Sequence, residues 1–369
     1  MGKLNSLVSS ISALNSASSL INAFVTEREI NELKKTNPID GEVLRILEIV
    51  FRKSRFPAPF KLSKLPIWVA TKRQPSVFTT EDNIRATAVV DLDLHLIQID
   101  FVPNVEIIEQ DSVKIVLGLL NEALPTTKIK IIGQSKKGFF SGRETLDISF
   151  SRTLVYKNMR QPSVQILLNL MRGSIEYANS LSKVAPYFAQ MMEPEKIFSS
   201  LLPLITKETK PNPKVSYQQL MEYLRTFIKE HNYSIAENAN NGIIYFRGGT
   251  KEDLLRFAKI TNDSQIIFGC FLEQLQADKS VYDRAKVYSF INYVNSEYTY
   301  FGKLALNRST NILEYITAVD LIGAEDEISS QLLSNMVEEN EAFSNSLLGK
   351  IKQVDEGLIS LSEACKQLI

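Results

Sequence analysis

Residues 285–354 read AKVYSFINYVNSEYTYFGKLALNRSTNILEYITAVDLIGAEDEISSQLLSNMVEENEAFSNSLLGKIKQV. The order of parts in this stretch decides the fold. Val287, Phe290, Ile291 and Val294 fall at i, i+3, i+4 and i+7, the spacing of one apolar helix face. Tyr298 to Leu306 and Ile312 to Val319 are rich in aromatic and β-branched residues. The polar cluster Asn307-Arg308-Ser309-Thr310 between them predicts an antiparallel hairpin. Gly323 then breaks the chain, and Asp326 is placed to cap a long helix. Ile328, Leu332, Met336, Phe343, Leu347 and Ile351 form its stripe, which Asn340 interrupts.

Working outward, Asp111 to Met191 shows the same parts in the same order. Val113, Val116, Leu117 and Leu120 repeat the helix face after Asp111. Lys128 to Ile132 and Thr145 to Phe150 supply two strands, and Pro162 suits the first turn of a helix carrying Val164, Leu167, Leu168, Met171 and Ile175. Asn179-Ser180-Leu181 matches Asn345-Ser346-Leu347. Two copies of one unit is the reading.

The elements before each copy complete the unit. Asp40 to Lys53 reads as a helix through Val43, Leu44, Leu47 and Val50, followed by strands near 65–71, 84–90 and 94–102. In the second half Val215 to Glu230 reads as a helix through Leu220, Tyr223, Leu224 and Phe227. Strands at 243–246, 254–260 and 265–272 follow, with turns at Gly248-Gly249 and Asn262-Asp263-Ser264. Each half is thus helix, three strands, helix, two strands, helix, an α+β arrangement with helices packed on an antiparallel sheet. The expected division is an amphipathic helical segment 1–36, a first domain 37–206, a linker 207–213 rich in Lys and Pro, a second domain 214–354 and a helical tail 355–369.

The chain has 369 residues, 42 basic and 42 acidic, so its formal net charge is zero. That argues against a generic polyanion binder and leaves room for a local basic patch. Cys270 and Cys365 are too few for a disulfide framework, which fits a reducing, cytoplasmic compartment. No apolar run approaches the length of about eighteen residues that spans a membrane. Near the start, Leu4, Leu7, Val8, Ile11, Leu14, Ile21, Phe24 and Val25 make an amphipathic stripe, but interrupting Ser and Asn rule out the unbroken core of a signal peptide. Met1-Gly2-Lys3-Leu4-Asn5-Ser6 matches the loose myristoylation pattern; a docking helix at the chain start is the simpler reading.

The order helix–three strands–helix–two strands–helix, with Lys286 to Val294 leading into Phe301-Gly302-Lys303-Leu304-Ala305-Leu306, resembles the YbjN-like family. That family shares the fold of class I type III secretion chaperones. The resemblance covers about residues 214–354 and more faintly 39–191. It implies a non-enzymatic and often dimeric protein, and in the chaperones an extended partner segment wraps the surface. It supplies no catalytic residues to carry over. This chain departs from the pattern by carrying two units, so the expected pairing is either a homodimer or an intramolecular pairing of the halves. Opposite charge on equivalent elements would orient one half on the other, although solvated helix faces are the simpler reading of the same pattern. Residues 309–349 contain no Lys or Arg, and Glu314, Asp320, Glu325, Asp326, Glu327, Glu338, Glu339 and Glu341 are acidic, while Arg152, Lys157, Arg160, Arg172 and Lys183 mark the counterpart.

Little in the sequence points to a reaction. Asp91, Asp93 and His95 alternate as metal ligands on one strand would, but they lie where two strands must turn, and Asp is common in turns. His231 follows a helix end. No G-x-S-x-G occurs, neither cysteine has a nucleophile signature, and Arg247-Gly248-Gly249-Thr250-Lys251 lacks phosphate-loop spacing. The expectation is no enzyme, no cofactor and no metal. Two surfaces remain. Lys128, Lys130, Lys136, Lys137 and Arg143 surround Phe139 and Phe140 in hairpin 128–143, a set suited to nucleic acid or an anionic membrane. The aromatic residues of the second sheet (Tyr245, Phe246, Phe257, Phe268, Phe271, Tyr298, Tyr300 and Tyr315) are expected to be mostly core, and whichever parity faces away from the helices is the expected protein-binding surface. The expected function is a protein-binding module (a chaperone, adaptor or regulator) using Phe139, Phe140, Tyr245, Phe257, Tyr300 and Tyr315. Nucleic-acid or membrane contact is the alternative.

Overall fold

The computed structural model describes residues 35, 38, 41, 68–69, 76–79, 85–91, 95–102, 107–108, 111–136, 144–157, 159, 165–167, 169–170, 193–205, 216–238, 242–248, 254–261, 264–277, 279–299 and 301–368. The expected segment 1–36 lies almost wholly outside them, as do the linker 207–213 and the helix expected at 40–53 apart from residue 41. The architecture is α+β, with two sheets and helices packed on them.

The first half contributes β1 (Trp68–Val69), β2 (Ser76–Thr79), β3 (Arg85–Asp91), β4 (Leu96–Val102), β5 (Ile107–Ile108), α1 (Asp111–Ala123), β6 (Lys128–Lys136), β7 (Glu144–Val155) and α2 (Pro194–Ile205). The second contributes α3 (Tyr217–Glu230), β8 (Ser234–Asn238), β9 (Ile243–Arg247), β10 (Arg256–Ile260), β11 (Gln265–Gln274), α4 (Ala285–Tyr293), β12 (Lys303–Asn307), β13 (Ile312–Asp320), α5 (Ser330–Leu347), α6 (Lys350–Asp355) and α7 (Leu361–Lys366). Between α4 and β12 the helix continues as a π turn over Val294–Tyr298.

The first sheet has the antiparallel order β6–β7–β4–β3. β5 shares the β4 edge of β7, and the outer edge of β3 carries β2 antiparallel and β1 parallel. The second sheet runs β12–β13–β11–β10–β9–β8 and is antiparallel throughout. β8 is an addition to the three strands expected before α4. It is an edge strand with a bulge between Ile235 and Glu237, and its sequence SIAEN lacks the apolar alternation that marks a strand.

Local chemistry explains the boundaries. Ser216 caps α3 in a capping box with Gln219, and His231 closes its end. The long helix starts later than Asp326 suggests. Glu325–Glu327 form a 3-10 turn, and the N-cap is Ser329, whose Oγ accepts from Leu332 N at 3.2 Å. Asn340, the interruption in its stripe, is buried and donates Nδ2 to the Tyr315 carbonyl of β13 at 2.9 Å.

α1 buries Val113, Ile115, Val116, Leu117, Leu119 and Leu120 on a wide apolar face, while Asp111, Lys114 and Glu122 keep contact with solvent. It packs against α4 and β12 of the second half. One continuous apolar core therefore runs through both halves, from Ile97 and Phe150 to Phe268 and Met336.

Candidate protein-binding face

Alternation gives the second sheet two faces. Ile244, Phe246, Ala258, Ile266, Phe268, Cys270, Leu304, Leu313, Tyr315 and Val319 join the main core on the face under the helices. Ile243, Tyr245, Phe257, Ile267, Phe271, Ala305, Ile316 and Ala318 form a second, separate cluster on the other face. Every member of that cluster is a strand residue, so among the described residues no apolar helix side chain joins it.

Register builds its centre. Phe257 stands between Tyr245 on β9 and Gly269 on β11. A Cβ at Gly269 would lie 2.1 Å from the Phe257 ring, so the missing side chain lets that ring lie flat across the strand. Phe271 then meets both aromatic neighbours, tilted against Phe257 at 5.0 Å and stacked on Tyr245 at 6.1 Å between centroids. Ile267, Ile316 and Ala305 extend the surface toward β12. The centre of the cluster is buried, with Phe257 4% exposed, while Tyr245, Ile243, Phe271 and Ala318 are half-buried along the margin. Lys259 lies 5.9 Å from the Phe257 ring centroid. Glu314 accepts from Asn307 Nδ2 at 2.9 Å, and burial pushes its carboxyl above the usual range against the opposing pull of Asn307 and Lys259.

The corresponding face of the first sheet is polar. Ser149 Oγ donates to Asp100 Oδ1 at 3.1 Å, Lys130 Nζ approaches the same oxygen at 3.4 Å, and Gln98 Nε2 donates to Oδ2. Burial disfavours the Asp100 carboxylate, but Lys130 and these hydrogen bonds outweigh it and hold its pKa below the ordinary value. Lys128 and Lys130 are both buried and committed, so neither is available to the basic patch expected around 128–143.

Of the aromatic residues singled out in the sequence, Tyr245 and Phe257 come together on the apolar face. Phe139, Phe140 and Tyr300 lie outside the described residues. Tyr315 lies on the opposite face, fully buried and stacked on Phe343 of α5 at 5.7 Å, with its ring against Gly302. The sequence reading did not single out Ile267 and Ile316, and it took Phe271 only as one aromatic residue of the second sheet. The signal for them was Gly269 in the middle of an otherwise apolar strand.

The histidines and carboxylates that could carry chemistry have local roles. His95 occupies a left-handed turn (φ 49°) between β3 and β4, with its ring edge-on to Tyr156 at 5.6 Å; Asp93 lies outside the described residues. His231 Nδ1 is 2.9 Å from the Phe227 carbonyl at the end of α3. Among the described residues no three His, Cys, Asp or Glu gather as a metal site, and no helix is long and apolar enough to cross a membrane.

No family model matches the chain, and no curated protein matches it. Among solved structures, a chain from the "Structure of the HopA1-SchA Chaperone-Effector Complex" aligns at 10% identity and a TM-score of 0.25, over 36% of this chain and 95% of that chain. A TM-score that low does not establish a shared fold.

Proposed function

We propose that this protein is a non-enzymatic, cytoplasmic protein-binding module, a chaperone, adaptor or regulator, that takes a polypeptide partner on the outer face of its second sheet. The observation that carries this reading is the second apolar cluster. It is built on the sheet face turned away from the helices, and its aromatic margin of Tyr245 and Phe271 keeps surface that a partner would cover. A strand or helix presenting apolar side chains at regular spacing fits the alternating rows of such a face. The element order that resembles the YbjN-like family and the class I type III secretion chaperones agrees with it.

The test is affinity capture of the full-length protein from its native lysate, beside Tyr245→Lys and a control, Tyr223→Lys. Tyr223 is 37% exposed on α3, away from this face. A protein recovered at near-stoichiometric yield by wild type and by Tyr223→Lys, and lost with Tyr245→Lys, supports the reading. Capture that is equal with all three chains, or recovery of nucleic acid or lipid in place of protein, overturns it.

A further inference from the structure

The contacts between the two halves follow a rule. Register makes Lys128 and Lys303 counterparts, because each opens the edge strand paired with β7 or β13. Lys128 Nζ donates to the carbonyls of Thr299 and Gly302, at 2.7 and 3.2 Å, in the loop just before Lys303. Lys303 Nζ donates to the carbonyls of Leu124 and Thr127, the latter at 2.9 Å, in the loop just before Lys128. Each lysine closes the loop that leads into the other.

The same exchange recurs at the far ends of the central strands. Asn335 of α5 donates Nδ2 to the carbonyls of Val155 and Lys157, at 3.0 and 2.9 Å, where β7 ends. Asn169, in the helical residues after β7, donates Nδ2 to the carbonyls of Asp320 and Ile322, at 3.2 and 3.0 Å, where β13 ends. Between these points the helices cross. A Cβ at Gly118 of α1 would lie 2.2 Å from the Tyr288 ring of α4, and Asn292 of α4 reaches back to the Lys114 carbonyl of α1 at 2.8 Å. α1 packs on β12, and α4 packs on β6.

Each half also has the same internal brace. Asn121 bonds both backbone groups of Ile129, at 3.0 and 2.8 Å, and Asn295 bonds both backbone groups of Leu304, at 2.9 and 2.7 Å. The second brace spans one residue more, and the π turn Val294–Tyr298 takes up the extra residue without disturbing the lysine or the strand. A contact from i to j matched by one from the counterpart of j to the counterpart of i defines an isologous, two-fold interface.

We infer that the described residues within 85–205 and those within 216–354 form two equivalent units joined two-fold within one chain, and that the partner for which each unit's helix and edge-strand surface is built is the other unit. The covalent connection through 207–213 brings the units together and is not needed to hold them. A second copy of the chain finds that surface already occupied.

The experiment uses the full-length chain with a protease site inserted between Lys207 and Pro213. After cleavage the two pieces are expected to co-elute with the 41.7 kDa mass of the intact chain by light scattering at micromolar concentration. Separation of the pieces on cleavage, or their re-sorting into pairs of like pieces, overturns the inference. Asn169→Ala and Asn335→Ala, made one at a time in the cleavable chain, are expected to weaken the association by similar factors, about tenfold each for the loss of a buried donor. Unequal effects, with one substitution silent, would also break the two-fold assignment.

Discussion

Asp100 in the first sheet stands where Gly269 stands in the second, with Ser151 opposite the one and Ile316 opposite the other. The neighbours follow suit. Lys130, Ser149, Gln98 and Thr153 occupy the register positions of Ala305, Glu314, Ile267 and Ala318, and Thr87 stands beside Asp100 as Phe257 stands beside Gly269. One strand order thus carries two kinds of outer face. The first is organised around a carboxylate that collects a lysine, a serine and a glutamine, a network whose geometry is directional. The second is organised around an aromatic ring lying across a glycine, and its cohesion is area-dependent and non-directional. Only the second can gain by adding apolar surface from outside. A symmetric pair of units need not have symmetric functions.

The comparison breaks first at Phe257. Truncating it removes the ring that Tyr245 and Phe271 meet and leaves a void over Gly269, so Phe257→Ala should cost about 3–5 kcal/mol in urea unfolding. A loss near zero would mean that the cluster is not a packed unit.

A smaller effect, about 2–3 kcal/mol, is expected for Asp100→Asn, which leaves Lys130 without its carboxylate in a site that is mostly but not wholly shielded. pH sharpens this prediction. The folded-state pKa of Asp100 is depressed, so the stability it contributes is present above the unfolded value of about 3.9 and is lost as pH falls through the folded value. Melting temperatures of wild type and Asp100→Asn should therefore converge as pH drops below about 4. Parallel curves down to acid pH would show that the polar face does not rest on this ionisation.

Much of the fold was legible because helix and strand periods differ. α1, α4 and the β12–β13 hairpin follow from spacing alone. β8 was not legible, since an edge strand with one large apolar residue carries almost no period-two signal. Nor was the parity of the second sheet. In QIIFGCFLEQ both faces of β11 are apolar, so nothing in the run says which residues turn outward, and Tyr315, offered as a partner contact, lies in the main core while Phe271 lies on the other face. Buried polar groups misled in a different way. Lys128 and Lys130 read as a basic patch, and nothing in the sequence marked Asn169 or Asn335, because a sequence shows that a residue is polar without showing that a carbonyl or carboxylate waits for it elsewhere in the fold.

The smallest expected effect tests why Gly269 is a glycine at all. Its φ is not in the left-handed region, so an alanine there has no backbone strain to overcome, and the whole cost must come from the 2.1 Å approach of its Cβ to the Phe257 ring. That ring can respond by rotating away from the strand, which would expose it and loosen its contact with Phe271. Gly269→Ala is therefore expected to lose about 1–2 kcal/mol, less than Phe257→Ala, because the ring moves but is not removed. Combined with Phe257→Ala the substitution should become nearly neutral, since the atom it collides with is gone. A full, additive loss in the double variant would place the role of Gly269 in the backbone of β11 and leave the flat-lying ring without its explanation.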